Sequence, residues 1–169
     1  TYDSNDKTYL PNGGINSIYE DSYGDVWISL WKLGLHKFDK DNNSFIHFPR
    51  IGSMNNPFRV FQDKQKQFWI CTWGDGVYLF NPNKNAESMY TRLEISNKGQ
   101  NSPEETFYSI TQDDSANYIW LMSFSGLFAF EYAENGTLRE VDVSHLFKGS
   151  NNIFSEISKS REGNLWIAT

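Results

Sequence analysis

The chain repeats one pattern four times: an apolar strand, an acidic turn, then Trp between apolar residues. The copies end on Val26-Trp27-Ile28, Phe68-Trp69-Ile70, Ile119-Trp120-Leu121 and Leu165-Trp166-Ile167. The tryptophans recur roughly every 40–50 residues, the period of a β-propeller blade. One such unit cannot bury both faces of its own sheet, so the period predicts stacked units around a shared core. The expected fold is therefore all-β: a propeller segment of about three to four four-stranded antiparallel blades, incomplete at both ends.

Composition agrees with this reading. Aromatic residues make up 17% of the 169 residues, and Val, Ile, Phe, Tyr, Trp and Thr fill the periodic segments, which favours strands over helices. The formal charge is -6, with acids and bases interspersed. The chain has no run of five or more Lys or Arg, which argues against a nucleic-acid partner. No segment approaches the ~20 apolar residues of a membrane-spanning helix, so no direct membrane insertion is expected. The single Cys71 cannot form an internal disulfide and reads as a small buried thiol.

The first unit predicts strands at Ile15–Glu20, Val26–Leu30, Leu35–Asp39 and Ser44–Phe48, called a to d. The second predicts Arg59–Gln62, Phe68–Thr72, Val77–Phe80 and a d strand near Met89–Leu93. The third predicts Tyr108–Gln112, Ile119–Ser123, Leu127–Glu131 and Thr137–Val143, the last pair joined through the hairpin signal Asn135-Gly136. Blade boundaries fall at about 1–14 (partial), 15–56, 57–106, 107–152 and 153–169 (partial). Tyr2-Asp3 matches the end of a c strand, and Thr8–Leu10 is expected to supply a short d strand. Ala168-Thr169 matches Cys71-Thr72, where a b–c loop should begin. The chain is thus expected to be part of a larger propeller, joined by further blades of the same parent or by a second copy in a homodimer.

The pattern of Asp, turn, apolar-Trp-Ile and then Gly-Leu/Val-x-x-Phe-Asp/Asn resembles the two-component regulator propeller repeat. It stands here as Asp21…Gly24-Asp25-Val26-Trp27-Ile28…Gly34-Leu35…Phe38-Asp39, and as Asp63…Phe68-Trp69-Ile70…Gly76-Val77…Phe80-Asn81. Lys66 and Ala116 replace the turn glycine, Ser160 the turn Asp, and Leu30 a usual Thr. The resemblance implies the periplasmic sensor region of hybrid two-component histidine kinases of Bacteroidetes, which respond to polysaccharide-derived oligosaccharides. It implies no cofactor and no enzymatic activity in this segment, while the parent chain would carry the histidine kinase.

The residues themselves suggest where function would lie. Trp27, Trp69, Trp120 and Trp166 occupy one position per repeat and read as wedges of the core between blades. Trp31, Trp73 and Phe124 all follow strand b, on the face shared by b–c loops and blade connections. Rings repeated there suit the C–H faces of a sugar, although covering the top of the core would need the same rings. With Lys32, Arg59 and Asp75 beside them, these are the candidate ligand-binding residues. Asp21, Asp63 and Asp113 read as organisers of hairpin turns. No catalytic or metal-binding motif occurs: His36, His47 and His145 are scattered, and Glu104-Glu105 and Asp113-Asp114 are sequence neighbours rather than a spaced acid pair. The alternatives to a sensor are part of a carbohydrate-acting propeller enzyme, a lyase or glycoside hydrolase, or a protein-interaction scaffold.

Overall fold

The computed structural model describes residues 8–53, 55–95, 106–147 and 155–168. Blade 1 contains β1 (Ile15–Glu20), β2 (Val26–Leu30), β3 (Gly34–Asp39) and β4 (Ser44–His47). Blade 2 contains β5 (Pro57–Gln62), β6 (Phe68–Thr72), β7 (Val77–Phe80) and β8 (Tyr90–Arg92). Blade 3 contains β9 (Phe107–Gln112), β10 (Ile119–Ser123), β11 (Gly126–Tyr132) and β12 (Leu138–Val141). Each blade is an antiparallel meander in chain order, and β13 (Glu156–Lys159) pairs with β14 (Leu165–Ala168) as the fourth. This is the β-propeller architecture. Thr8–Leu10 forms a turn and bend instead of the expected strand. Tyr2-Asp3, Glu104-Glu105 and Thr169 lie outside the described residues.

Alternation along the b strands of blades 2 and 3 divides their side chains between two interblade cores. In β6, Phe68 and Ile70 join the core shared with blade 1, whereas Trp69 and Cys71 join the core shared with blade 3. In β10, Ile119 and Leu121 face blade 2, while Trp120 and Met122 face blade 4. Every buried tryptophan thus points forward onto the next blade. Trp27 meets Phe68 and Phe80 at centroid distances of 5.0 and 5.5 Å, and Trp69 meets Phe130 at 6.1 Å.

The turn acids fix these wedges. Asp21 Oδ1 accepts the backbone N–H groups of Tyr23 (2.8 Å) and Asp25 (3.0 Å), while Oδ2 accepts the Trp27 indole N–H at 2.9 Å. Asp63 accepts Gln67 N–H at 2.9 Å and Trp69 Nε1–H at 2.8 Å. Asp113 accepts Ala116 and Asn117 N–H at 2.8 and 2.7 Å and Trp120 Nε1–H at 2.8 Å. All three acids are buried. One carboxylate therefore closes the a–b turn and also satisfies the indole N–H that burial would otherwise leave without water.

Trp166 departs from the expected core position, being 66% exposed. Leu165 and Ile167 pack back onto blade 3, but no described sheet covers the forward face of β14. Ser160 also stands where the clamp Asp would be, and its Oγ accepts Asn164 N–H at 3.3 Å. The third turn is one residue longer than the first two. The left-handed position therefore falls on Asn117 (φ 61°), not Ala116, matching Gly24 (φ 80°) and Lys66 (φ 68°). Asn adopts this region more readily than Ala.

In blades 2 to 4 the residue preceding the clamp position reaches back to the preceding turn. Gln62 Oε1 accepts Ser22 N–H at 3.0 Å and Ser22 Oγ–H at 2.6 Å. Gln112 Oε1 accepts Lys64 N–H at 2.8 Å, and Lys159 Nζ donates to Asp114 Oδ1 at 3.1 Å. These clasps join adjacent a–b turns directly, so blade packing sets their alignment as well as their spacing.

Two expected outcomes follow from these positions. Trp69→Ala empties a fully buried site and should cost about 3–5 kcal/mol, whereas Trp166→Ala, at an exposed site, should cost less than about 1 kcal/mol; urea unfolding measures both. His36 is 2% exposed on β3 and faces His47 across the β3–β4 pair, with ring centroids 4.7 Å apart. Burial first, and then the neighbouring His47 charge, lower its pKa from 6.5 to about 4. The unfolded chain therefore takes up this proton before the folded chain does. The His36 contribution to stability should fall as pH drops from 6.5 towards 4 and level off below that. Unfolding midpoints for the wild type and His36→Asn should show that this part of the slope belongs to His36.

Candidate functional site

The b–c end of the blades is shaped by one irregularity repeated in each a strand. Register shifts between Ile15 and Ser17, between Pro57 and Arg59, and opposite Met122 and Ser123 leave Asn16, Phe58 and Tyr108 as bulged residues. A bulge re-aims its side chain relative to the regular pleat. Asn16 Nδ2 donates to Pro57 O at 2.8 Å, tying blade 1 to blade 2. The bulged Phe58 and Tyr108 instead place rings against the aromatic residues that follow strand b.

The result is a continuous aromatic strip. Trp31 and Trp73 have centroids 5.6 Å apart, Trp73 and Phe124 5.7 Å, and Phe124 and Tyr108 5.0 Å. Phe58 joins at 5.5 Å from Trp73. The rings of Trp31, Trp73 and Phe124 meet at 66° and 85°, so they form a ridge of alternating faces and edges, not a flat platform. Trp73 is half-buried at the centre. Trp31 and Phe124 are exposed at the two ends, by 39% and 66%.

Turn chemistry holds these rings in place. The Trp31 N–H donates to Gly14 O at 2.8 Å and the Trp73 N–H to Asn56 O at 3.0 Å. Buried Asn56 also accepts the Lys32 N–H through Oδ1 at 3.2 Å, joining the first b–c loop to the connection between blades. In the third loop, Ser125 N–H donates to Ser123 Oγ at 3.1 Å.

The polar candidates divide. Lys32 is exposed beside Trp31, at a left-handed position with φ 58°. Arg59 is exposed, its guanidinium 5.9 Å from the Phe58 ring centre, and its Nε donates to Tyr108 O at 3.3 Å. Arg59 thus borders the strip through Phe58, and Lys32 adjoins Trp31 in the chain. Asp75 is engaged by other residues: Oδ2 accepts Ser53 N–H at 2.7 Å, and Oδ1 lies 4.0 Å from Arg92. Gly52 is required by this contact, since an added Cβ would lie 1.8 Å from Asp75 Oδ2. Asp75 therefore braces the 51–53 loop.

The remaining reactive groups are quiet. Cys71 is fully buried, and burial pushes its thiol well above the ordinary range, which disfavours the nucleophilic thiolate. Among the described residues, no group of three or more His, Cys, Asp or Glu side chains could hold a metal ion. No helix of the described residues is long and apolar enough to cross a membrane. Neither the bulged aromatics nor the Gln62 and Gln112 clasps were apparent from the repeat, because the recurring Trp dominates its pattern.

Comparison with known proteins adds to the geometry. The family model described as two component regulator propeller matches residues 9–32. Comparison with curated proteins finds no match. Among solved structures, the extracellular domain of the putative one component system BT4673 from B. thetaiotaomicron has TM-score 0.70 and 20% identity, covering 99% of this chain and 22% of that one. The extracellular domain of the putative hybrid two component system BT3049 from the same organism has TM-score 0.65 and 21% identity, covering 95% and 21%. Virginiamycin B lyase from Staphylococcus aureus has TM-score 0.66 and 15% identity, covering 95% and 50%. The chain thus spans about a fifth of the length of the two B. thetaiotaomicron domains. At these identities the likeness establishes the fold. The chain is a β-propeller segment carrying a two component regulator propeller repeat at residues 9–32.

Proposed function

We propose that the chain is a non-enzymatic, ligand-reading segment of an extracytoplasmic sensor propeller, and that the aromatic strip contacts a polysaccharide-derived oligosaccharide. The observation that carries this reading is the continuity of Trp31, Trp73 and Phe124 across three blades, with rings exposed at both ends. Sugar C–H faces pack on such rings, while Lys32 and Arg59 offer donors to hydroxyl groups. The family repeat and the likeness to extracellular domains of one- and two-component systems support a signalling role, in the periplasm, as part of a hybrid two-component protein.

The likeness to a lyase carries only the fold. The carboxylate expected beside the strip, Asp75, is engaged by the 51–53 loop, which leaves the strip without that acid for glycoside chemistry. In a sensor, the ligand shifts the equilibrium only by binding one arrangement of the blades more tightly than another. A surface spanning three blades suits that requirement, since its shape depends on their relative packing.

Isothermal titration with a panel of plant- and host-polysaccharide oligosaccharides tests the reading. At least one should bind without turnover, and Trp31→Ala and Phe124→Ala should each weaken it more than about tenfold, or roughly 1.4 kcal/mol. Cleavage of the oligosaccharide would contradict the non-enzymatic reading, and unchanged affinity in both variants would remove the strip from the site.

A further inference from the structure

At the opposite, a–b end, a cleft of about 530 Å³ opens between blades 1 and 2. Asp21 and Trp27 line it together, Phe48 and Phe68 supply apolar walls, and Lys66 stands at the rim. The repeat places an equivalent position between blades 2 and 3, where it is occupied by a side chain of the protein itself. There the Tyr132 O–H donates to Asp63 Oδ2 at 2.7 Å, on the same oxygen that accepts the Trp69 indole N–H. Burial and the Asp63 carboxylate both push the Tyr132 pKa up, so the phenol stays protonated and donates.

Strand pairing identifies the residue that stands in for Tyr132 in the first cleft. Trp69 pairs with Leu79 and Trp120 with Ala129, so Phe80 matches Phe130 and Pro82 matches Tyr132. Pro82 lines the cleft but carries neither a ring of that reach nor an O–H. Asp21 Oδ2 accepts from Trp27 Nε1, and among the described residues no second donor reaches it. Asp21 is 6% exposed, and the cleft it lines is the route by which a second donor would reach the Oδ2 lone pair that Tyr132 fills at Asp63. The two clefts therefore share one clamp and differ in whether a phenol is present.

We propose that the cleft between blades 1 and 2 is a binding site for a phenol ring, which would donate its O–H to Asp21 Oδ2 and lie between the apolar walls as Tyr132 does one blade further on. This is independent of the oligosaccharide reading, which concerns the b–c end. The ring could come from a free phenolic compound or from a tyrosine side chain of a peptide; the recognised chemistry is the same.

The test titrates the ¹⁵N-labelled chain with 4-methylphenol and follows the Trp27 indole N–H resonance, whose acceptor oxygen the ligand would share. A saturable shift is expected with 4-methylphenol and none with 4-methylanisole, which lacks the donor. N-acetyl-L-tyrosinamide distinguishes the sources: a shift at similar concentration assigns tyrosyl groups as well, and its absence restricts the site to free phenols. Pro82→Tyr should fill the cleft from within and abolish the response. Tyr132→Gly should open the second cleft and add a saturable response at the Trp69 indole, with 4-methylphenol raising that variant's melting temperature. No Trp27 response to 4-methylphenol, an equal response to 4-methylanisole, or a response that survives Pro82→Tyr in a folded protein would overturn the proposal.

Discussion

A buried carboxylate that accepts an indole N–H is the interaction from which the rest of this propeller segment is built. Trp is the largest side chain available to fill the space between blades, but its ring carries a donor that cannot be buried without a partner. The turn acid supplies that partner from within the same hairpin. Because Oδ1 is already held by the turn backbone in blades 1 to 3, Oδ2 has little freedom, and the indole is aimed as firmly as it is satisfied. Hairpin geometry and interblade packing are thus coupled through a single side chain.

Everything at the two ends of the blades is positioned by that coupling. At the a–b end, the clamp turns present backbone N–H groups to Gln62 and Gln112, which lock each turn to its neighbour. At the b–c end, the b strand carries its Trp at the second position and delivers Trp31, Trp73 or Phe124 one residue past its last. Equal strand lengths of β2, β6 and β10 keep those rings level, which is why they meet in one strip. At Trp166, where Ser160 replaces the clamp acid and no described sheet packs on the ring, the indole lies in the open. The opposite face of blade 1 shows the same principle: Ile18, cross-strand from Ile28, is 64% exposed because no described sheet packs there.

Much of this was legible in the sequence, because period and alternation are local properties. The b strands β2, β6 and β10 fall where the Trp repeat put them, and the acids at 21, 63 and 113 do organise the hairpins. The indole bond of those acids escaped notice since it joins residues six or seven apart around a turn, where chain spacing shows no shared face. The bulges at Asn16, Phe58 and Tyr108 are also hidden, because a one-residue register shift leaves no mark on the apolar pattern of a short strand. Asp75 stands beside the strip by position in the repeat, but its carboxylate is taken up by the Ser53 N–H, a partner far away in the chain. Trp166 was assigned to the core on repeat logic alone, whereas burial requires a neighbouring sheet as well as a position in the repeat.

The most direct test of the clamp is a double-mutant cycle on Asp63 and Trp69, measured by equilibrium urea unfolding. Asp63→Ala removes the acceptor, Trp69→Phe removes the indole N–H while keeping an aromatic wedge, and the cycle isolates what they share. The account predicts a coupling energy of about 1.5–3 kcal/mol, as for a buried hydrogen bond to a charged group. A coupling near zero, with the two substitutions acting additively, would mean that the indole packs without the carboxylate, and that the clamp does not set the arrangement of the blades.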